Sequence, residues 1–136
     1  MAETILVVED EHRMREIIRD YFVSHGVSCD LATSGIEALD LLCDHDYDAL
    51  LLDVMMPELD GFAVCRAVRR ESAVPIVMLT ALHGEENALK GYELGCDDYV
   101  TKPFFLAVLY AKTMALIRRD RGEGLEGGRL VCGGIR

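Results

Sequence analysis

Two textures of apolar and polar positions alternate along the chain. Residues 4–8 (TILVV), 48–53 (DALLLD) and 75–79 (PIVML) are short, nearly continuous apolar runs, the pattern of strands buried on both faces. Residues 27–32 form a weaker strand, in which Ser28 and Asp30 alternate with Cys29 and Leu31, as expected at a sheet edge. Residues 97–101 (DDYVT) form a fifth, brief strand. Helical periods lie between these runs. Met14, Ile17, Ile18, Tyr21 and Phe22 fall at i, i+3, i+4, i+7 and i+8 over residues 12–24, and His25-Gly26 closes that helix. Thr33 or Ser34 caps a second helix, with Glu37 as the capping-box partner of Ser34 and Ile36, Leu39, Leu42 and Cys43 as its stripe. Asp60 caps a third, with Phe62, Cys65 and Val68 inward and Arg66, Arg69, Arg70 and Glu71 outward. Residues 84–95 form a short fourth helix weakened by Gly84, Gly91 and Gly95, since an interior glycine costs about 1 kcal/mol relative to alanine. The fifth, over residues 104–119, is apolar almost all round, including Phe104, Phe105, Leu106, Val108, Leu109 and Tyr110. Such a helix sits deep or has a second buried face, and in so small a domain a partner surface is the better reading.

Five strands alternating with five helices predict a doubly wound α/β fold with a parallel sheet and right-handed crossovers. Strand order is not legible in one sequence; for five strands the flavodoxin-like order 2-1-3-4-5 is the natural candidate. The chain has 136 residues, enough for one domain, placed at residues 1–120. Residues 121–136 carry six glycines and read as linker, with Leu130-Val131-Cys132 as a strand fragment without continuation. There are no internal repeats.

About half the residues are hydrophobic, which excludes a disordered chain, and no apolar run approaches a membrane span. The opening MAETILVVEDE has no basic segment before its apolar run, so a signal peptide is not expected and the expected location is cytoplasmic. Five widely spaced cysteines without a CxxC read as small buried hydrophobes in a reducing compartment, not as a zinc site. The four histidines fall in loops or at helix ends and form no ligand pattern. Net charge is −10, while residues 117–136 hold five arginines and three acids. The acidity therefore belongs to the body of the chain, which argues against DNA binding by this domain itself.

Polar residues follow four of the apolar strands: Glu9 and Asp10 the first, Asp53 the third, Thr80 the fourth and Lys102 the fifth. Parallel strands point the same way, so these ends share one crevice, where ligands bind open α/β sheets. Singly, each has a bland role as a cap, a strand-end hydroxyl or a solvated charge. Jointly they require four coincidences at four strand ends. Three clustered carboxylates repel, and a hard divalent cation such as Mg²⁺ compensates them. With the Lys102 ammonium this is a set suited to phosphoryl transfer, one carboxylate attacking phosphorus and Thr80 donating to a phosphoryl oxygen. No GxxxxGK[ST] or GxGxxG loop is present. A phosphatase of the haloacid-dehalogenase type has a second Asp two positions after its nucleophile; here that position is Met55.

The residues VVEDE around Glu9 and Asp10, LLLDVMMPELDGF around Asp53, VMLTAL with Thr80-Ala81, and DDYVTKPF with Lys102-Pro103 resemble the receiver domain of bacterial two-component response regulators. The resemblance covers residues 4–119 and implies a CheY-like fold. It implies that Asp53 is the phosphoacceptor of a sensor histidine kinase, and that Glu9, Asp10, Asp53 and the Met55 carbonyl ligate Mg²⁺ (or Mn²⁺). It implies Lys102 and Ala81 at the phosphate, Thr80 and Tyr99 as a switch pair, and a cis peptide before Pro103, which proline makes accessible. The chain would then be a signalling phosphoacceptor rather than an enzyme acting on a separate substrate.

GYELGCDDYVTKPF, followed by a helix ending Arg118-Arg119, is similar to the OmpR/PhoB class, whose second domain is a winged-helix DNA binder. GGRLVCGGIR resembles the start of such a domain, so DNA contact and transcriptional output would lie beyond this chain; the alternative is a stand-alone adaptor acting by protein–protein binding. The class forms homodimers on phosphorylation through the fourth helix, fifth strand and fifth helix, where Lys90, Glu93, Asp97, Asp98, Val108, Lys112 and Arg118 are the candidates. Val108 stands where the class often has Glu, which predicts a more hydrophobic pairing or another face. Glu9 is one methylene longer than an aspartate. Met55 and Leu82, two residues past Asp53 and Thr80, cannot position a hydrolytic water, which predicts a long-lived phosphoryl group.

Overall fold

The computed structural model describes residues 2–122. Five parallel strands form one sheet in the order β2-β1-β3-β4-β5. They are β1 (Thr4–Val8), β2 (Ser28–Ala32), β3 (Ala49–Leu52), β4 (Ile76–Thr80) and β5 (Asp98–Thr101). Helices α1 (His12–Ser24), α2 (Gly35–Asp44), α3 (Gly61–Arg69), α4 (Glu85–Leu94) and α5 (Leu106–Asp120) connect and follow them. The doubly wound reading holds, including the order and the edge position of β2.

Alternate residues of the strands feed two cores. Ile5, Val7, Leu51, Val77 and Leu79 pack with Ile18 and Phe22 of α1 and Leu109 and Ile117 of α5. Leu6, Val8, Leu50, Leu52 and Met78 pack with Ala38 of α2 and Val64, Cys65 and Val68 of α3, Leu94 of α4 joining at the margin. A pleated strand sends successive side chains to opposite faces, so the central runs must be apolar throughout. β3 and β4 are buried throughout in this way, and β1 from Ile5 to Val8.

Three local readings shift. In α2, Ile36 and Cys43 are exposed, while Gly35 and Ala38 make the buried contact. The reason is close approach: a methyl at Gly35 would lie 2.6 Å from the Leu59 carbonyl oxygen and 2.8 Å from Val64 Cγ2, so the start of α2 sits directly against α3 and its leading loop, while Leu39 and Leu42 of the expected stripe do pack on the core. Ser34 caps α2 by accepting from the Glu37 amide at 3.1 Å, while the Glu37 carboxylate accepts from the backbone and hydroxyl of Thr33. α5 begins at Leu106, after Phe104 and Phe105, and buries a narrow stripe of Leu109, Thr113 and Ile117. Third, Arg69 does not point outward. It donates to the Gly95, Ser72 and Val74 carbonyls and pairs with Asp97 at 3.0 Å, tying the end of α3 to the starts of β4 and β5.

All four histidines are exposed; Cys65 and Cys96 are buried, and Cys29 is half-buried. Arg121, on the linker side of the boundary drawn from sequence, pairs with Glu3 and Asp48 at 3.3 Å each, so the folded unit continues past α5. The fragment at 130–132 lies outside the described residues. No helix among the described residues is long and apolar enough to cross a membrane.

Candidate functional site

Register places the site. Val8 pairs with Leu52, so the next residues, Glu9 and Asp53, leave the sheet side by side. Thr80 pairs with Thr101, which puts Lys102 just beyond the end of β4. The Lys102 amide donates to the Thr80 carbonyl at 2.8 Å and the Lys102–Pro103 peptide is cis.

Asp53 is buried, and its amide donates to the Val8 carbonyl at 3.0 Å. Its Oδ1 accepts from the Met55 amide at 3.1 Å, and its Oδ2 lies 3.4 Å from Lys102 Nζ. Glu9 is buried as well; its Oε1 accepts from Lys102 Nζ at 2.8 Å and its Oε2 from the Glu11 amide at 3.2 Å. Asp10 is exposed at the rim. Glu9, Asp10 and Asp53 can each offer one oxygen within 4.8 Å of the others. An all-oxygen, mainly anionic donor set of that spacing fits a hard divalent cation.

The electrostatics follow from burial. The Glu9 carboxyl is pushed up to about 7, chiefly by burial, with the Asp53 charge adding and the Lys102 hydrogen bond opposing. Burial acts to lower Lys102, but its contacts to Glu9 and Asp53 outweigh it and the ammonium is held above its ordinary value. A half-buried cation between two buried carboxylates is stable only while those contacts persist.

Thr80 is fully buried, and its Oγ1 accepts from the Leu82 amide at 3.1 Å. The Leu82 carbonyl in turn accepts from the Tyr99 hydroxyl at 2.8 Å, so the half-buried Tyr99 ring is linked to Thr80 through one residue. Ala81 and the Met55 side chain are exposed at the mouth.

Two positioning residues escaped the sequence reading. Gly61, the first residue of α3, lies against the Asp53–Val54 backbone: a methyl there would come within 2.7 Å of Val54 Cα and nearer still to the Asp53 carbonyl. Asp60 is legible as the cap of α3, but the close approach that requires glycine at the next position is not. Arg15 donates to the Glu9 carbonyl at 2.8 Å, a contact with no sequence signal.

The face candidates on α4, β5 and α5 are partly committed within the chain. Asp97 pairs with Arg69 and accepts from the Ile76 amide at 2.8 Å, Lys112 pairs with Asp98 at 3.1 Å, and Lys90 Nζ stands 4.6 Å over the Phe62 ring. Glu93, Val108 and Arg118 are exposed.

A family profile described as response regulator receiver domain matches residues 5–113. Among curated proteins, the chain is 44% identical over 115 residues to the probable transcriptional regulator ycf27 of Cyanidium caldarium, covering 85% of this chain and 46% of that protein. It is 44% identical over 124 residues to the response regulator MprA of Mycobacterium tuberculosis, covering 90% of this chain and 54% of that protein. The chain thus spans about half the length of these relatives. Among solved structures, a Francisella response regulator receiver domain superposes with a TM-score of 0.83 at 34% identity, over 86% of this chain and 98% of that one.

Proposed function

The chain belongs to the response regulator receiver domain family, and on that premise we propose that it takes a phosphoryl group from a sensor histidine kinase onto Asp53. The observation that carries this reading is the convergence of Glu9, Asp10, Asp53 and Lys102 at the carboxyl ends of β1, β3 and β5. An Asp53 carboxylate oxygen attacks phosphorus of the donor phosphohistidine, an O–P bond forms as the N–P bond breaks, and the leaving imidazole takes up a proton. Lys102 turns from Glu9 Oε1 toward a phosphoryl oxygen. Thr80 already accepts from the Leu82 amide, so its hydroxyl proton is available to another phosphoryl oxygen. Glu9, Asp10, Asp53 and the Met55 carbonyl would hold Mg²⁺ (or Mn²⁺), which when bound offsets the charge of the carboxylates and the phosphoryl oxygens.

The readout passes through Thr80 and Tyr99 to the face formed by α4, β5 and α5, which pairs two copies. Phe105, Leu89, Tyr92 and Val108 stay exposed there, around the Asp98–Lys112 pair. Transcriptional output, through a DNA-binding domain beyond residue 136, is supported by the relative named a transcriptional regulator and by the half-length match. A cytoplasmic location follows from that role. The test is incorporation from acetyl phosphate with Mg²⁺ or with EDTA, read on a phosphate-affinity gel. Incorporation only with Mg²⁺ is expected; equal incorporation in EDTA would remove the metal from the account.

A further inference from the structure

Gly91 lies inside α4, seventh of its ten residues, and is fully enclosed. Its backbone gives no reason for a glycine: positive φ occurs at Gly26, Gly84, Gly95 and Gly122, and Gly91 keeps the helical range. An interior glycine weakens a helix relative to alanine. The reason lies across the contact. A methyl at residue 91 would stand 3.0 Å from Tyr99 Cδ1, 3.1 Å from Met78 Sδ and 3.2 Å from Cys96 Sγ. All three are shorter than the separation at which such atoms attract, roughly 3.5–4.0 Å between carbons. Tyr99 is the ring whose hydroxyl reaches the Leu82 carbonyl, next to Thr80.

We propose that Gly91 is the seat of the Tyr99 ring: its missing side chain lets the ring lie inward against α4, and so sets the balance of ring positions that connects Asp53 to the α4–β5–α5 face. Gly91 touches none of the reacting groups and is a positioning residue. The inference rests on the reading of Thr80 and Tyr99 as a switch. Filling the seat displaces the ring, or the helix, without altering the acceptor.

A double-mutant cycle tests the contact. Gly91→Ala lowers the thermal midpoint in the wild-type background. In a Tyr99→Ala background the same change lowers it by clearly less, because the ring contact is gone, the contacts to Met78 and Cys96 remain, and alanine is the better helix former. If Gly91→Ala alone does not fold while the double variant does, that rescue is the same relief of the ring contact. Equal effects in both backgrounds would overturn the proposal. The functional arm uses 3-fluorotyrosine-labelled protein, with the Tyr99 signal identified by its loss in Tyr99→Ala. Gly91→Ala takes up phosphoryl from acetyl phosphate at the wild-type rate, but its Tyr99 signal is displaced before phosphorylation and does not respond to it. A wild-type response in the variant also overturns the proposal. If the wild type itself takes up no phosphoryl group, the reading of the site fails, while the stability cycle still decides whether Gly91 seats the ring.

Discussion

Glu9 has one methylene more than an aspartate, and with that length its Oε1 reaches Lys102 Nζ at 2.8 Å, closer than Asp53 Oδ2 at 3.4 Å. Its carboxyl, ordinarily near 4.5, is held at about 7 by burial. The folded chain therefore binds that proton more tightly than the unfolded chain does. The stability it contributes is full below about pH 4.5 and is lost as pH rises through about 7. Glu9→Gln, always neutral, should be more stable than wild type in metal-free buffer at pH 8, by about 1–2 kcal/mol after the lost Lys102 contact is allowed for. The two should converge by about pH 4, where Glu9 is protonated in both the folded and the unfolded chain; denaturation at both pH values checks the sign. At the mouth, Met55 is exposed and Leu82 half-buried, and neither side chain can hold a water by hydrogen bonds. The phosphoryl group should then persist for minutes or longer in kinase-free buffer, and a lifetime of seconds would count against that reading.

Helix α3 ends in a knot that no periodicity foretells. Arg69 reads as one of several basic residues on a solvated face, yet it makes four hydrogen bonds at the α3–β4 and α4–β5 corners. Arg69→Ala should destabilise the chain by about 2 kcal/mol, because three carbonyls and Asp97 lose a donor together. Urea melts should show a lower midpoint with an unchanged slope. The same element shows what the sequence carries and what it does not. Apolar runs and periods of three to four fixed the existence of all ten elements, and the Asp60 cap of α3 was legible because it is local, accepting from the Ala63 amide at 2.9 Å. The phase of α2 was only half legible: Leu39 and Leu42 pack on the core as the stripe predicts, but Ile36 and Cys43 at its margins are exposed, and Gly35 and Ala38 are the buried residues. Close approach between elements leaves no mark on the period of either one. The carboxylate crevice was legible for a different reason: parallel strands end on one edge of the sheet, and the order β2-β1-β3-β4-β5 makes β1, β3 and β4 neighbours, so the residues after those runs meet. That Lys102 would choose Glu9 first, and that Gly61 would clear the Asp53 backbone, depend on distances between elements.

Across the whole molecule the two ends of the sheet differ in chemistry. One edge gathers the acids and Lys102; the opposite edge is clasped by Arg121 against Glu3 and Asp48. Between them the α4–β5–α5 face keeps Phe105 at 78% and Val108 at 46% exposure. If this face pairs two copies on phosphorylation, Phe105→Asp should leave phosphoryl uptake intact and abolish the dimer in sedimentation velocity, since a charge buried in an apolar interface has no partner there. A phosphorylated Phe105→Asp variant that still dimerises would move the interface elsewhere. The central claim, that Asp53 accepts a phosphoryl group, is tested most directly by intact-mass measurement after incubation with acetyl phosphate and Mg²⁺. A gain of one phosphoryl group by the wild type and none by Asp53→Ala is the predicted result; no gain by the wild type, or the same gain by the variant, would contradict it.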